Sequence, residues 1–348
     1  MLFSLEKIRV VILGLNYISL YLAKKMSRTN NVVIIYEKTS CEKRFIEELD
    51  VIIEKVDRNI LTVLQKYTEG VNSIVFISMT NCEELNLLSA LKMKKLGAHK
   101  TAALIYNNDF YNFDYQIDYI LNPLQLVLEN IHIKLKFTRL HRVRNIVPGK
   151  LNLAVLRLTE GDKYLHLKLA KRKSNNSLIV AVKRNSKYII PESEIRAEPG
   201  DLLYVIYKPG NSNWHRFISN GRMSSRKVFI LGGNSTGIYL AYHWQDLFRK
   251  IIILEKDYSR CEYLASRLQK PLILHGRVTE INLLQEEGID QNSTLVAVND
   301  DDLASLVGSF SALRSHCRQV ITVLKSQQSK KTAELMDLKN ILTVPELV

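Results

Sequence analysis

Two glycine-containing turns carry the residues that point most clearly to chemistry. Residues 232–237 read Gly-Gly-Asn-Ser-Thr-Gly, and residues 14–19 read Gly-Leu-Asn-Tyr-Ile-Ser. Each turn follows a short apolar run and precedes a helical pattern, as does the Gly-x-Gly-x-x-Gly turn that holds a pyrophosphate at a helix N-terminus. The turns therefore predict phosphate binding, with candidate residues Gly14, Leu15, Asn16, Tyr17, Ile18, Gly232, Gly233, Asn234, Ser235, Thr236 and Gly237.

Both turns depart from that fingerprint. The first keeps only its first glycine, whereas the second keeps the first and the third. Asn16 and Asn234 stand where a glycine normally lets the backbone approach the phosphate. Because asparagine tolerates a left-handed backbone better than most residues, each turn can still form. A structural turn with an empty pocket remains the alternative to phosphate binding in both copies.

An acidic residue follows each turn at the same distance. Glu37 and Glu255 lie 23 residues after Gly14 and Gly232, at the predicted tip of a second strand. A carboxylate at that position can accept hydrogen bonds from both hydroxyls of an adenosine ribose. A lysine follows each acid, so a ligand with a phosphate on the ribose 2′-hydroxyl remains an alternative. The spacing therefore predicts two ribose-binding acids.

Further polar residues follow later strands. Thr80 and Asn81 come after the fourth predicted strand of the first copy, and Asn299 and Asp300 occupy the same place in the second. We expect Asn81 and Asn299 to cap the next helix, since an acid stands three residues after each. The same positions lie where a ligand crosses the strand ends, so they are also candidate contacts. His275 and Gly276, after the third strand of the second copy, are the remaining candidates.

These residues belong to a repeated unit, because one offset of 218 residues relates the turns, the helices after them and the acids. Continuous apolar runs predict parallel strands that are covered on both faces. We expect helices to begin near residues 16, 41, 58, 82 and 108. The predicted strands lie near 8–13, 32–36, 51–54, 73–78, 101–106 and 118–121, and near 227–231, 251–254, 272–274, 294–298, 319–323 and 341–343.

Between the copies the pattern changes to short alternating runs with a hairpin turn at residues 183–187. The predicted fold is therefore α/β, with two Rossmann-like, doubly wound parallel-sheet lobes flanking a small, mostly antiparallel α+β module. We place the first lobe at residues 1–131, the module at 132–213 and the second lobe at 214–348. No second module follows the second lobe in this sequence.

Composition narrows the class of protein. The 348 residues are 46% hydrophobic and 24% charged, as in ordinary soluble globular proteins, and no apolar stretch approaches the ~20 residues of a membrane span. The four cysteines are scattered, which favours reduced thiols over a zinc site or disulfide frame. The net charge of +14 is concentrated at residues 131–227, where 21 Lys and Arg face 6 Asp and Glu. Such a segment suits an anionic membrane surface, an acidic protein or only solvent.

The chain resembles the TrkA family, the cytosolic regulatory subunits of Trk-type potassium uptake systems, which are built from regulator-of-potassium-conductance (RCK) domains. The likeness spans essentially the whole chain and rests on residues 80–86, 179–201 and 275–302, together with the order lobe, β module, lobe. The family's Gly-Asp pair after the third strand reads Gly276-Arg277 here. The family's second β module has no counterpart in this sequence.

The resemblance implies a nucleotide-sensing regulator and not an enzyme. NAD(H) or an adenine nucleotide (ATP or ADP) would bind each lobe, although the lost glycines leave the first lobe's site open to question. The protein would lie on the cytoplasmic face of the inner (plasma) membrane, as a homo-oligomer beneath the membrane potassium-translocating subunit. We expect no catalytic residue, no metal ligand and no nucleic acid.

Two other functions stay open from the sequence. A soluble NAD(P)-dependent oxidoreductase would use the same lobes, but it needs an acid–base residue facing the nicotinamide, and no such pattern stands out. A nucleic-acid binder would rest only on the basic middle segment, and it would show a steep salt dependence of binding. We therefore take nucleotide-dependent regulation as the leading hypothesis.

Overall fold

The computed structural model of the chain describes residues 8–39, 50–56, 59–67, 73–106, 116–136, 140–147, 151–158, 160, 165–166, 168–169, 177–192, 194–208, 227–317 and 319–348. The residues from Met1 to Leu128 and from Lys227 to Val348 form one compact unit, and Glu129 to Arg226 form a second. The first unit contains both repeated lobes, and the second contains the antiparallel module.

The first lobe is a six-stranded parallel sheet with the order β3-β2-β1-β4-β5-β6. The order reverses between β1 and β4, and this is the place where ligands bind in open α/β sheets. The predicted helices near residues 41 and 108 begin outside the described residues. The strands are β1 (Arg9–Leu15), β2 (Asn31–Thr39), β3 (Ile52–Lys55), β4 (Ile74–Ser78), β5 (Lys100–Leu104) and β6 (Tyr119–Leu121), and the helices are α1 (Tyr17–Met26), α2 (Ile60–Lys66), α3 (Glu83–Lys95) and α4 (Pro123–Lys136).

The second lobe repeats this topology with the order β14-β13-β12-β15-β16-β17, again entirely parallel. The prediction of two doubly wound lobes is confirmed. The strands are β12 (Lys227–Leu231), β13 (Lys250–Glu255), β14 (Leu272–His275), β15 (Ser293–Ala297), β16 (Gln319–Leu324) and β17 (Asn340–Thr343), and the helices are α5 (Ser235–Trp244), α6 (Tyr258–Arg267), α7 (Ile281–Glu286), α8 (Asp302–Arg314), α9 (Gln327–Leu335) and α10 (Val344–Leu347).

The module has five antiparallel strands in the order β10-β9-β11-β8-β7. Asn185 and Ser186 link β9 to β10 with positive φ angles of 47° and 65°, which is the two-residue hairpin turn expected at residues 183–187. Arg184 at the end of β9 donates to both carboxylate oxygens of the buried Asp201 at 2.8 Å. The strands are β7 (Leu140–Val147), β8 (Leu151–Arg157), β9 (Ser177–Arg184), β10 (Lys187–Ile189) and β11 (Leu202–Tyr207).

Burial on both faces explains the continuous apolar strands. Val11 and Leu13 of β1 pack into the core on one face of the first sheet, and Val10 and Ile12 pack into the core on the other. All four have no exposed surface. Replacing a fully buried side chain such as Ile12 with alanine would cost about 2–5 kcal/mol. The central strand is therefore a rigid base for the turn that follows it.

The two lobes meet through the short C-terminal helix. Val344 and Val348 pack against the first-lobe cluster that contains Ile18 and Ala23 of α1. On the second lobe's side, Lys330 of α9 binds both carboxylate oxygens of Glu346 at 2.8 Å. Helix α10 therefore links the end of the second lobe to the first helix of the first lobe.

Candidate functional site

The glycine turn of the second lobe keeps its backbone close to neighbouring elements. Gly232 has φ +107°, and a Cβ atom there would lie 3.0 Å from the Cα of Asn299. A Cβ atom at Gly237 would lie only 2.0 Å from the carbonyl oxygen of Gly232. The first and third glycines are therefore required, because one adopts a left-handed backbone and the other lets α5 approach β12.

Gly233 and Glu255 form the centre of this turn. The N–H of Gly233 donates to Oε2 of Glu255 at 2.7 Å, and the N–H of Asp257 donates to Oε1 at 3.0 Å. Glu255 is 7% exposed and is the last residue of β13, as expected. Each carboxylate oxygen can accept a second hydrogen bond, so acceptor sites remain for ligand hydroxyls. A Cβ atom at Gly233 would lie 2.5 Å from Cδ1 of Leu264 and 3.1 Å from Oε2 of Glu255, so only glycine fits beside these two side chains.

Asn234 caps α5 and joins it to the end of β15. Its Oδ1 accepts from the N–H of Gly237 at 3.1 Å, while its Nδ2 donates to the carbonyl of Val298 and to Oδ1 of Asp300. The first N–H groups of a helix have no acceptor within the helix. Those of Ser235 and Thr236 precede the capped N–H of Gly237 and are the natural donors to an anion.

The turn of the first lobe uses its asparagine in the same way. Oδ1 of Asn16 accepts from the N–H groups of Ile18 and Ser19 at 3.0 Å, and its Nδ2 donates to the carbonyl of Met79 at 2.6 Å. Gly14 has φ +104°, and a Cβ atom there would lie 2.6 Å from the Met79 oxygen. In both lobes, the asparagine at the position of the second glycine therefore caps the following helix and binds the backbone just after the fourth strand.

The first turn is nevertheless filled. Leu15, which corresponds to Gly233, is 3% exposed and belongs to the first-lobe core together with Ile18 and the partly buried Tyr17. Leu15 also pairs with Thr39 of β2. Ser19, which corresponds to Gly237, is fully buried, and its Oγ accepts from the N–H of Asn16 at 2.8 Å. The first-lobe turn therefore has a buried leucine and an additional strand pair, where the second-lobe turn has a glycine and the strand pairing ends at Leu231 and Leu254.

The two acids have different surroundings. The prediction that Glu37 lies at the tip of β2 is wrong, because the strand continues to Thr39 after a register shift between Leu13 and Leu15. Glu37 is exposed, whereas Glu255 is buried against its turn. Only the second-lobe acid therefore contacts its glycine turn within the described part of the chain.

The predicted helix caps after the fourth strands are also wrong. The residue that caps α3 is Cys82, without a side-chain hydrogen bond, and the residue that caps α8 is Asp301, whose side chain accepts from the N–H of Leu303. Asn81 is exposed. The expected acids do lie in the first turn of each helix, as Glu83, Glu84 and Asp302. The caps shift because four residues separate each strand from the helix that follows it, between Ser78 and Glu83 and between Ala297 and Asp302.

Thr80 belongs to a buried polar network instead. Its N–H and its hydroxyl both donate to Oδ1 of the fully buried Asn86 at 2.7 Å, and Nδ2 of Asn86 donates to the carbonyls of Thr80 and Leu104 at 2.9 Å. In the second lobe, Ser305 takes this place and accepts from the N–H of Asn299 at 3.1 Å. Thr80 and Asn299 therefore hold the fourth strand to the following helix.

Asp300 lies at the centre of an ion cluster beside the glycine turn. Its Oδ1 accepts from Asn234 Nδ2 at 3.0 Å and from Lys325 Nζ at 2.8 Å, and its Oδ2 lies 3.4 Å from Arg260. Partial burial opposes ionisation, but the ammonium group of Lys325 outweighs it and holds the pKa of Asp300 below its ordinary value. The sequence did not single out Arg260 or Lys325, because they meet Asp300 only through the sheet topology.

His275 and Gly276 close the other side of the turn. His275 ends β14, one residue later than expected, and pairs in register with Glu255. Its Nε2 lies 3.1 Å from the carbonyl of Lys256. The N–H of Gly276 donates to the carbonyl of Glu255 at 2.9 Å, and a Cβ atom there would lie 2.3 Å from Leu283. The structure therefore brings most second-lobe candidates together around Glu255 and Asn234.

Three further findings concern other kinds of site. In the described ranges, no three His, Cys, Asp or Glu residues are grouped so that they could hold a metal ion. No helix among the described residues is long and apolar enough to cross a membrane. Cys82 is exposed, while Cys261 and Cys317 are buried thiols.

Comparison with known proteins gives a consistent set of relatives. Residues 228–344 match the TrkA-N domain family. A Trk system potassium uptake protein TrkA homolog of Archaeoglobus fulgidus is 25% identical over 334 residues, which cover 94% of this chain and 76% of that protein. The Trk system potassium uptake protein TrkA of Halomonas elongata is 22% identical over 333 residues, covering 91% and 72%.

Solved structures share the fold. The GsuK RCK domain superposes with a TM-score of 0.68 at 14% identity, covering 99% of this chain and 75% of that chain. The GsuK channel bound to NAD superposes with a TM-score of 0.69 at 14% identity, covering 99% and 62%. A further GsuK crystal structure, bound to ADP, has a TM-score of 0.57. Residues 228–344 thus match the TrkA-N domain family, and over nearly its whole length the chain is similar to Trk system potassium uptake proteins TrkA.

Proposed function

We propose that this chain is a cytosolic, nucleotide-sensing regulatory subunit that gates the membrane potassium-translocating subunit of a Trk-type uptake system. The observation that carries the proposal is the second-lobe turn, where three glycines let the backbone pack closely against its neighbours and Glu255 accepts from the N–H of Gly233. The names of the curated relatives, which are potassium uptake proteins, support the partner.

The ligand of the second lobe is NAD(H) or an adenine nucleotide. Its phosphates would meet the N–H groups of Ser235 and Thr236, and its ribose hydroxyls would use the remaining acceptor sites of Glu255. Gly233 fits this ligand, because a residue without a side chain lets a ligand approach the backbone closely. The GsuK structures bound to NAD and to ADP are examples of such ligands on a protein with this fold.

The first lobe binds no nucleotide in this proposal. Leu15 fills the position of Gly233, Thr39 pairs across the turn, and Glu37 is exposed to solvent. Its Gly14, Asn16 and Thr80 then serve the structure of the turn, and Asn81 is left at the surface. Nucleotide binding in the second lobe would act on the first lobe.

Signal transfer would pass through α10, which packs on α1 of the first lobe. A ligand that binds one arrangement of the lobes better than another shifts their balance by its difference in affinity. A coupling free energy of about 1–3 kcal/mol, typical of allosteric proteins, would change the open fraction of a gate severalfold. Homo-oligomers on the cytoplasmic face of the inner membrane would deliver that change to the transporter, with the basic segment at residues 131–227 facing the anionic lipid surface.

Two experiments test the proposal. Titration calorimetry with NADH, NAD, ATP and ADP should give one binding site per chain for at least one of them. Expression in cells that lack their own regulatory subunit should restore potassium uptake. Absence of binding to all four nucleotides would refute the sensing role, and binding without any effect on uptake in cells that produce the folded protein would refute the partner.

A further inference from the structure

The ion pairs around Asp300 contribute little to the stability of the fold. Asp300, Lys325 and Arg260 have side chains that are 60%, 46% and 44% exposed. Exposed ion pairs contribute only about 0–1 kcal/mol to folding. The cluster nevertheless joins three segments at one point, which are the glycine turn through Asn234, the start of α6 and the connection after β16. Its position beside the turn suggests a role in ligand binding.

The backbone of the β16–α9 connection is held independently of this cluster. The N–H groups of Lys325 and Ser326 donate to the carboxylate of Asp302 at 2.8 and 3.0 Å. The side chain of Lys325 can therefore leave Asp300 without moving the connection that carries it. Arg260 is likewise anchored through its N–H, which donates to Asp257 at 3.1 Å. Both cations can exchange one anionic partner for another by side-chain rotation alone.

The first lobe lacks this arrangement. In the matching sheet register, Asn81 corresponds to Asp300 and Tyr106 corresponds to Lys325. The lobe whose turn contains the buried Leu15 thus has neither the carboxylate nor the lysine, whereas the lobe whose turn contains Gly233 has both. This correspondence links the cluster to the glycine turn of the second lobe.

We propose that Asp300 is an internal substitute for a ligand phosphate, which holds Lys325 and Arg260 at the mouth of the second-lobe turn until a nucleotide displaces it. The inference rests on the proposed nucleotide binding and deepens it. Asp300 keeps the cations in position, and it also competes with and repels the incoming phosphate. It therefore lowers the affinity for phosphorylated ligands but not for ligands without a phosphate. The site is then not saturated and stays responsive to changes in nucleotide concentration.

The test compares ADP with adenosine by titration calorimetry on the full chain. Removing one negative charge a few ångströms from the phosphates, partly screened by solvent, should tighten ADP binding about tenfold in Asp300→Asn. Adenosine, which has no phosphate, should bind Asp300→Asn and the original chain equally. Lys325→Gln should weaken ADP binding about tenfold and leave adenosine binding unchanged.

Asp246→Asn is the matched control, because Asp246 also pairs with an exposed lysine, Lys270, at the opposite end of the strands. It should leave ADP binding unchanged. Equal or weaker ADP binding by Asp300→Asn, or a parallel change for adenosine, would overturn the inference while leaving nucleotide binding intact. If the original chain bound neither ligand, the proposed function itself would fail. Should Asp300→Asn not fold, the selective loss expected for Lys325→Gln decides the matter alone.

Discussion

The two turns are similar overall but differ at individual residues. Leu15 and Gly233 occupy the same position, yet one is a buried core residue and the other packs without a side chain against Leu264 and Glu255. The glycine spacing predicted both turns from the sequence. It could not predict which was filled, because the fingerprint leaves that position unspecified. Nor could spacing reveal that Glu255 binds the backbone of its own turn.

The third glycine of the second turn should contribute to stability. Gly237→Ala would place a methyl group 2.0 Å from the Gly232 oxygen, so α5 must move away from β12. We expect the free energy of unfolding in urea to fall by about 1–3 kcal/mol, despite the better helix propensity of alanine. Ser19→Ala, at the matching position of the first lobe, should cost only about 1 kcal/mol through the lost capping bond. Equal losses in the two variants would contradict the role assigned to Gly237.

The buried thiol of Cys317 should be less reactive than the exposed thiol of Cys82. Burial raises the pKa of Cys317 to about 11, whereas Cys82 is exposed. Because the folded pKa lies above the ordinary thiol value, the stabilising contribution of the protonated thiol is complete below about pH 9 and is lost as the pH rises toward 11. Peptide mapping after maleimide labelling at pH 7.5 should find Cys82 modified and Cys317 modified only in denaturant. Rapid labelling of Cys317 in the folded protein would contradict its burial.

At the scale of elements, apolar runs were enough to place the strands to within a few residues, because parallel strands buried on both faces have few alternatives. The end of β2 was missed, since Glu37, Lys38 and Thr39 are polar and resemble the end of a strand. The helix caps were missed for a related reason. Which residue caps a helix depends on where the backbone turns after the strand, and this is decided by contacts such as that of Thr80 with Asn86.

Helix α10 should stabilise the first lobe as well as the second. Deleting residues 344–348 would remove Val344 and Val348 from the first-lobe cluster and uncover part of α1. We expect a loss of about 2–4 kcal/mol in the free energy of unfolding, from two partly buried valines and their neighbours. Lys330→Gln, which removes only the pair with Glu346, should cost about 1 kcal/mol or less. Hydrogen exchange that slowed or stayed constant in α1 after the deletion would show that the lobes do not depend on this contact.

At the scale of the whole molecule, the repeat and the basic middle segment were visible in the sequence, and the order lobe, β module, lobe followed from them. The packing of α10 on α1 could not be predicted, because apolar residues at the end of one lobe do not reveal which surface they cover. The two lobes form one compact unit, so a conformational change in one lobe can alter the other.

The basic segment should bring the chain to anionic membranes. Residues 131–227 have a charge balance of +15, and each Lys or Arg near such a surface contributes about 1 kcal/mol. Vesicles containing phosphatidylglycerol should retain the protein at 50 mM salt and release it at 500 mM, because the Debye length falls about threefold between these two concentrations. Vesicles of phosphatidylcholine alone are the control. Equal retention on both would argue against an electrostatic membrane contact.

The central claim is that the second lobe, and not the first, senses a nucleotide, and calorimetric titration of matched variants tests it most directly. Glu255→Gln should weaken binding of NADH or ADP by about tenfold or more, because a charged acceptor of the ribose hydroxyls is lost. Glu37→Gln, at the equivalent position of the first lobe, should bind as tightly as the original chain. The account is contradicted if Glu37→Gln loses binding while Glu255→Gln, folded by its thermal midpoint, keeps it.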